Sequence, residues 1–230
     1  MPFLIIILLL VAIIVGPGLW VKRVLQRYSR PADRYEGTGG ELARHMLDRL
    51  GLHDVGAEIV EQGEQGDHYD PDDRVVRLTE DKFNGRSLTA ITVAAHEVGH
   101  AHQHSSGYRP LLWRTRLVKW AAPGEKLGAG VLMLAPLVTL VTRAPVVGLL
   151  MLLGGFLVLG LGSVIHLITL PMELDASFGR ALPMLREGGY LKPGDEPHAK
   201  RLLRAAALTY VSASLMSLLN VARWWAILRR

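Results

Sequence analysis

Cysteine is absent from all 230 residues. That absence excludes disulfides and thiolate zinc sites, so any bound zinc must be held by histidine and carboxylate. Aromatics are sparse at 7%, and none interleave with basic residues as nucleic-acid platforms require. No phosphate-cradling glycine loop and no internal repeat is visible. The net charge of +5 comes from basic residues clustered beside apolar runs, whereas residues 36–105 hold more acids than bases. Anionic lipid headgroups are therefore the expected partner, and nucleic acid is not.

What is present in quantity is hydrophobic. Half the residues are apolar, the mean hydropathy is +0.23, and a fifth are charged, a balance that suits a membrane protein with a water-facing domain. Phe3 to Trp20 carries no charge and lacks a basic leader and a small-residue cleavage site, which reads as a retained anchor. Leu127 to Val141 and Val146 to Leu170 read as a transmembrane hairpin turning at Thr142-Arg143-Ala144-Pro145. Ala205 to Leu228 is a fourth candidate, spanning or lying in the interface. The expected organisation is an anchor at 1–21, a catalytic domain at 22–125, the hairpin at 126–170, a further segment at 171–204 and a terminal helix at 205–230. Lys22, Arg23, Arg27, Arg30 and Arg34, with Arg109 to Lys126 and the bases after 180, place 21–126 and 171–204 on the cytoplasmic side of a bacterial plasma membrane. Fold class is accordingly α+β: a mainly helical integral membrane protein with a small cytosolic domain and a short sheet.

The chemistry is concentrated in His96-Glu97-Val98-Gly99-His100. At 3.6 residues per turn, His96 and His100 lie one turn apart on one helix face, so two imidazoles can converge on one ion. Glu97 points about 100° away, which sets a carboxylate beside a metal-bound water rather than on the metal, as a general base needs. The apolar run Leu88 to Ala95 marks a helix packed in a core, with Ser87 able to cap its start and Ser105-Ser106-Gly107 to stop it.

A catalytic zinc needs a third protein ligand. A third histidine six residues after His100 is ruled out because Ser106 occupies that place, and His104 stands about 12 Å of helix rise from His96, too far to share the ion. Glu173 stands out in Leu170-Pro-Met-Glu-Leu-Asp-Ala-Ser177, where Pro171 can start a helix that projects it back. Asp175 lies about 200° further round, so one of the two is expected as ligand and the other as partner to a histidine. His166, within the third apolar run, is either functional or reaching an interface.

Ahead of the motif helix, Thr38-Gly-Gly-Glu41 spells a capping box, and Ala57 to Val60 and Arg74 to Leu78 read as strands divided by the turn-rich Asp67-His-Tyr-Asp-Pro-Asp-Asp73. His68 or Tyr69 could hydrogen-bond an oxyanion, or the segment could be a simple turn. A substrate backbone could add as a strand along Val75, Val76, Arg77 and Leu78.

Asp67 to Pro71, Arg77-Leu-Thr-Glu80 with Asn84-Gly-Arg-Ser87, Ala94 to Ala101 and Leu170 to Ser177 together resemble, in order and over most of the chain, the neutral zinc metallopeptidases of bacterial membranes, the YugP-like family. The resemblance implies a gluzincin-type endopeptidase in which His96, His100 and Glu173 bind Zn2+, Glu97 takes a proton from zinc-activated water, and the partners are a peptide or membrane-protein substrate and the lipid bilayer. Wider gluzincin practice puts Asp four residues after the ligand Glu, where this chain has Ser177. A zinc-stabilised, non-catalytic scaffold is the alternative, and assembly into a homo-oligomer stays open.

Overall fold

A computed structural model of the chain describes residues 2–60, 66–209 and 212, without the side chains of 2–11, 118, 120–126, 129, 156 and 158–168. The elements run α1 (Pro2–Tyr28), α2 (Gly39–Arg49), β1 (Gly56–Ile59), β2 (His68–Asp70), β3 (Val75–Leu78), α3 (Glu80–Phe83), α4 (Leu88–Ser105), α5 (Arg109–Thr142), α6 (Pro145–Leu174), a π-helical stretch (Asp175–Ala181), α7 (Leu182–Glu187) and α8 (Glu196–Ala207). Most of the described residues are helical, and one small sheet accompanies them. Two compact units emerge. One holds the start of α1 to Pro17 and Trp113–Thr169; the other holds Gly18–Leu112 and Leu170–Thr209.

The expectation of an integral membrane protein is not met. Among the described residues no helix is long and apolar enough to cross a membrane. In α5 the bases from Arg109 to Lys126 interrupt the apolar pattern, and the uncharged remainder to Thr142 falls short of the ~20 residues a span requires. Of the other runs, the first half of 3–20, the inner part of 146–170 with His166, and most of 205–228 lie outside the described side chains.

The second unit carries the chemistry, and its local structure follows the sequence closely. The capping box closes as spelled: Thr38 Oγ1 accepts from the Glu41 amide at 3.2 Å and Glu41 Oε2 accepts from the Thr38 amide at 2.8 Å, satisfying two otherwise orphan donors. From α2, Ala43, Met46 and Leu47 enter a core shared with Val76 and Leu78 of β3, Ala94, Ala95 and Val98 of α4, Leu185 of α7 and Leu202 and Leu203 of α8. Each fully buried Leu or Met contributes about 1.5–3 kcal/mol. α4 is buried from Leu88 to Ala101 on every face, the pattern of a central helix. Ser87 Oγ accepts from the Ala90 amide at 3.1 Å. At the other end Gly107, with φ of 64°, lets the Tyr108 amide return to the Gln103 carbonyl at 2.9 Å, the stop the sequence spells.

The sheet has the order β1-β3-β2, with β3 parallel to β1 (Gly56 opposite Val75) and antiparallel to β2 (His68 opposite Arg77). β2 lies inside the stretch read as a turn. Only its second half turns: Asp70 Oδ1 accepts from the amides of Asp72 and Asp73 at 2.8 and 3.1 Å, and Arg74 takes φ of 55°. Because β3 is paired on both sides, its ladder groups are already used. A substrate strand therefore cannot add along Val75 to Leu78.

Candidate metal centre

His96 and His100 project from the middle of α4 with ring centroids 4.8 Å apart and planes at 77°. Glu173 comes from the last turn of α6. Pro171 does not start a new helix there, because α6 runs through it without a break and continues into the π-helical stretch. His100 Nε2 lies 3.2 Å and His96 Nε2 3.4 Å from the same carboxylate oxygen, Glu173 Oε2. All three side chains are buried, Glu173 completely, and their ligand atoms lie within 4.8 Å of one another.

This arrangement fits a metal ion. Ligands 2.0–2.1 Å from a tetrahedral zinc stand about 3.3 Å apart, close to both nitrogen-to-oxygen separations. Glu173 Oε1 is buried and has no hydrogen-bond partner among the described residues, an expensive orphan unless a cation faces it. Two imidazole nitrogens and one carboxylate oxygen are also the donor set of catalytic zinc.

Electrostatics tell the same story. Burial alone would push His100 down, but the Glu173 carboxylate carries it up to about 9. Burial would push Glu173 up, yet His100 and His96 draw it down to about 2. Without an ion, a proton on His100 thus takes the cation's place beside a charged Glu173.

Behind the ligands, each imidazole is held at its other nitrogen. His96 Nδ1 lies 3.0 Å from Ser177 Oγ, which donates to the Leu203 carbonyl of α8 at 3.1 Å. His100 Nδ1 lies 3.0 Å from Gln103 Oε1. Gln103 Nε2 in turn donates to the Met172 carbonyl at 2.8 Å and to Asp175 Oδ2 at 2.7 Å. Arg180 Nε reaches the same Asp175 oxygen at 2.9 Å. Asp175 thus touches a histidine only through Gln103, while Ser177, noticed in the sequence merely as standing where an Asp is expected, meets His96 directly. Spacing alone hinted at Ser177; nothing in the sequence pointed to Gln103, because its acceptors lie about seventy residues downstream.

Close approach makes this geometry possible. A Cβ on Gly99 would sit 2.6 Å from the Ala176 carbonyl oxygen, so only glycine lets α4 lie against the segment carrying Glu173.

Glu97 is buried, and no hydrogen bond ties its carboxylate among the described residues. Burial raises its proton affinity, the two imidazoles oppose this, and Asp67 and Glu173 add to it. Asp67, from the Asp67-to-Pro71 motif, accepts from the Thr79 amide and hydroxyl at 2.8 and 2.9 Å and pairs with Lys82 at 3.0 Å, fastening β2 to the start of α3. The other motif residues turn elsewhere. His68 Nδ1 bonds the Gly66 carbonyl at 2.8 Å, and the Tyr69 hydroxyl meets His104 Nδ1 at 2.9 Å.

A family profile described as "Putative neutral zinc metallopeptidase" matches residues 3–229. The chain belongs to that family. Within it, the "Putative membrane protease YugP" of Bacillus subtilis (strain 168) is 41% identical over 211 residues, covering 89% of this chain and 86% of the relative. No solved structure matches. Membership in this family makes zinc the cofactor, and the buried His96, His100 and Glu173 could hold it.

Proposed function

We propose that this metallopeptidase cleaves internal peptide bonds with His96, His100 and Glu173 as its zinc ligands and Glu97 as general base. The observation that carries the reading is the pairing of a buried three-atom ligand cluster, one carboxylate oxygen of it unpartnered among the described residues, with the buried carboxylate of Glu97, whose proton affinity is raised, beside it on α4. When bound, zinc supplies Lewis acidity toward water and toward the scissile carbonyl.

The protein's own groups do the rest. His96 and His100 present neutral Nε2 lone pairs, and Glu173 brings the one negative charge to the ion. Glu97 receives a proton on its carboxylate from the attacking water and returns it to the departing amine nitrogen. Its raised proton affinity suits that exchange, because a carboxylate of ordinary acidity is a poor acceptor near neutral pH. Burial around the cluster keeps bulk water from screening these charges. A purely structural zinc site would leave Glu97, a buried carboxylate of raised proton affinity, without a task.

The relative's description as a membrane protease supports the reading that this chain also works at a membrane, on peptides or membrane-associated proteins. Glu97→Gln tests the chemistry. The zinc-loaded variant should retain one equivalent of metal and lose peptide hydrolysis by at least about 10²-fold; cleavage at the wild-type rate by a zinc-loaded variant would remove Glu97 from the mechanism.

A further inference from the structure

The hydrogen-bond chains behind the two histidines can be read by counting protons. The Ser177 hydroxyl has one proton, and the Leu203 carbonyl, 3.1 Å away, can only accept it. What Ser177 offers His96 Nδ1 at 3.0 Å is therefore a lone pair, and Nδ1 must carry the hydrogen. The same count applies to Gln103. Its Nε2 faces a carbonyl and a carboxylate, both acceptors, which fixes the amide orientation and turns Oε1 toward His100 Nδ1. That nitrogen too must donate. Both rings consequently turn Nε2 toward Glu173, at 3.2 and 3.4 Å.

We infer that Ser177 and Gln103 are positioning residues that lock both ligand imidazoles as Nδ1–H tautomers with Nε2 facing the ion, through neutral acceptors tied to the same short segment that carries Glu173. Met172, Asp175 and Ser177 all flank the carboxylate ligand, so residues 172–177 deliver one ligand and orient the other two. The inference rests on the zinc site proposed above. It departs from the carboxylate-to-histidine pattern in one respect: among the described residues no acidic group touches either ring from behind, and Asp175 acts through the Gln103 amide. Zinc-ligating histidines usually depend on such partners for orientation, and losing one costs about 10–100-fold in metal affinity.

The test measures zinc affinity by competition with a chromophoric chelator, alongside visible absorption of the cobalt-loaded protein and thermal melts of the metal-free forms. Ser177→Ala and Gln103→Met should each weaken zinc by about 10–100-fold and shift the cobalt bands. Ser177→Thr, which keeps the hydroxyl, should restore both. If Ser177→Ala does not fold, Gln103→Met and Ser177→Thr still decide the matter by the same two readouts. Wild-type affinity together with an unchanged cobalt spectrum in folded Ser177→Ala or Gln103→Met overturns the inference. His96→Ala separates the two levels: if it too binds zinc as the wild type does, the ion lies elsewhere and the proposed site itself fails.

Discussion

Glu173 and His100 shift each other's proton affinity in opposite directions, and their charges set how the site responds to pH. With Glu173 drawn down to about 2 and His100 carried up to about 9, metal must displace a proton from His100 across the whole range between. Zinc binding at pH 7 should therefore release about one proton, measurable by titration calorimetry in buffers of different ionisation enthalpy. Apparent affinity should climb about tenfold per pH unit and flatten above about 9. A pH-independent affinity between 6 and 8 would show that His100 is not a ligand. Of the four residues at this centre, the two histidines and Glu97 were legible in the sequence, because helical spacing alone puts them on adjoining faces. Glu173 was only half legible: its place after a long apolar run drew notice, but spacing could not choose between it and Asp175. Tertiary packing chooses, by pointing Glu173 inward and sending Asp175 to Gln103.

Among the elements, the contact of α4 with the π-helical stretch governs the site. Such stretches recur where a helix must re-aim its side chains at a functional position, and this one begins two residues after Glu173, the proposed carboxylate ligand. Gly99 marks the tightest point. Gly99→Ala would press a methyl against the Ala176 carbonyl at 2.6 Å and should cost roughly 1–3 kcal/mol, seen as a lower melting temperature, with weaker zinc binding as the ligands separate. A variant as stable and as tight in metal binding as the wild type would show that the two helices part without consequence. The sequence could not reveal this contact, since the π turn has no composition signature and its neighbour lies far along the chain. The sheet illustrates the opposite limit: two strands were visible from β-branched runs, but the three-residue β2 hid among turn formers. Missing it left β3 looking like a free edge. Hydropathy likewise gave Leu127 to Val141 as a span, but the uncharged part of α5 is too short for one, and among the described residues no helix is long and apolar enough to cross a membrane.

At the scale of the whole molecule, two clasps join distant parts of the second unit. One is Asp195, at the head of α8 and nearly fully buried, which takes hydrogen bonds from Arg34 at 2.7 Å and from the Tyr35 hydroxyl. Burial raises the Asp195 carboxyl, but Arg34, Tyr35 and His198 outweigh it, and the net shift is downward. A depressed folded value means that the stabilisation is complete above the ordinary aspartate range near 3.9 and is lost as pH falls through that range toward the folded value. Denaturant melts from pH 6 to 3 should show this loss, and Asp195→Asn should flatten the profile. Asp195→Ala, which leaves the buried Tyr35 hydroxyl without its acceptor, should cost about 1–3 kcal/mol. The other would be zinc held by the proposed ligands His96, His100 and Glu173. Removing zinc with a chelator should lower the melting temperature, and excess zinc should raise it, by about 4 kcal/mol of stability at a thousandfold excess over the dissociation constant.

The distance along the chain between His100 and Glu173, 73 residues, also governs timing. A ribosome that has made the histidine pair has still to translate the whole of α5 and α6 before the acidic ligand exists. A half-made chain, or one cut short before residue 173, holds only the two histidines of this three-residue cluster. On the proposed reading, the complete ligand set, and with it the hydrolytic centre, comes into being only after residue 173 has been added to the chain.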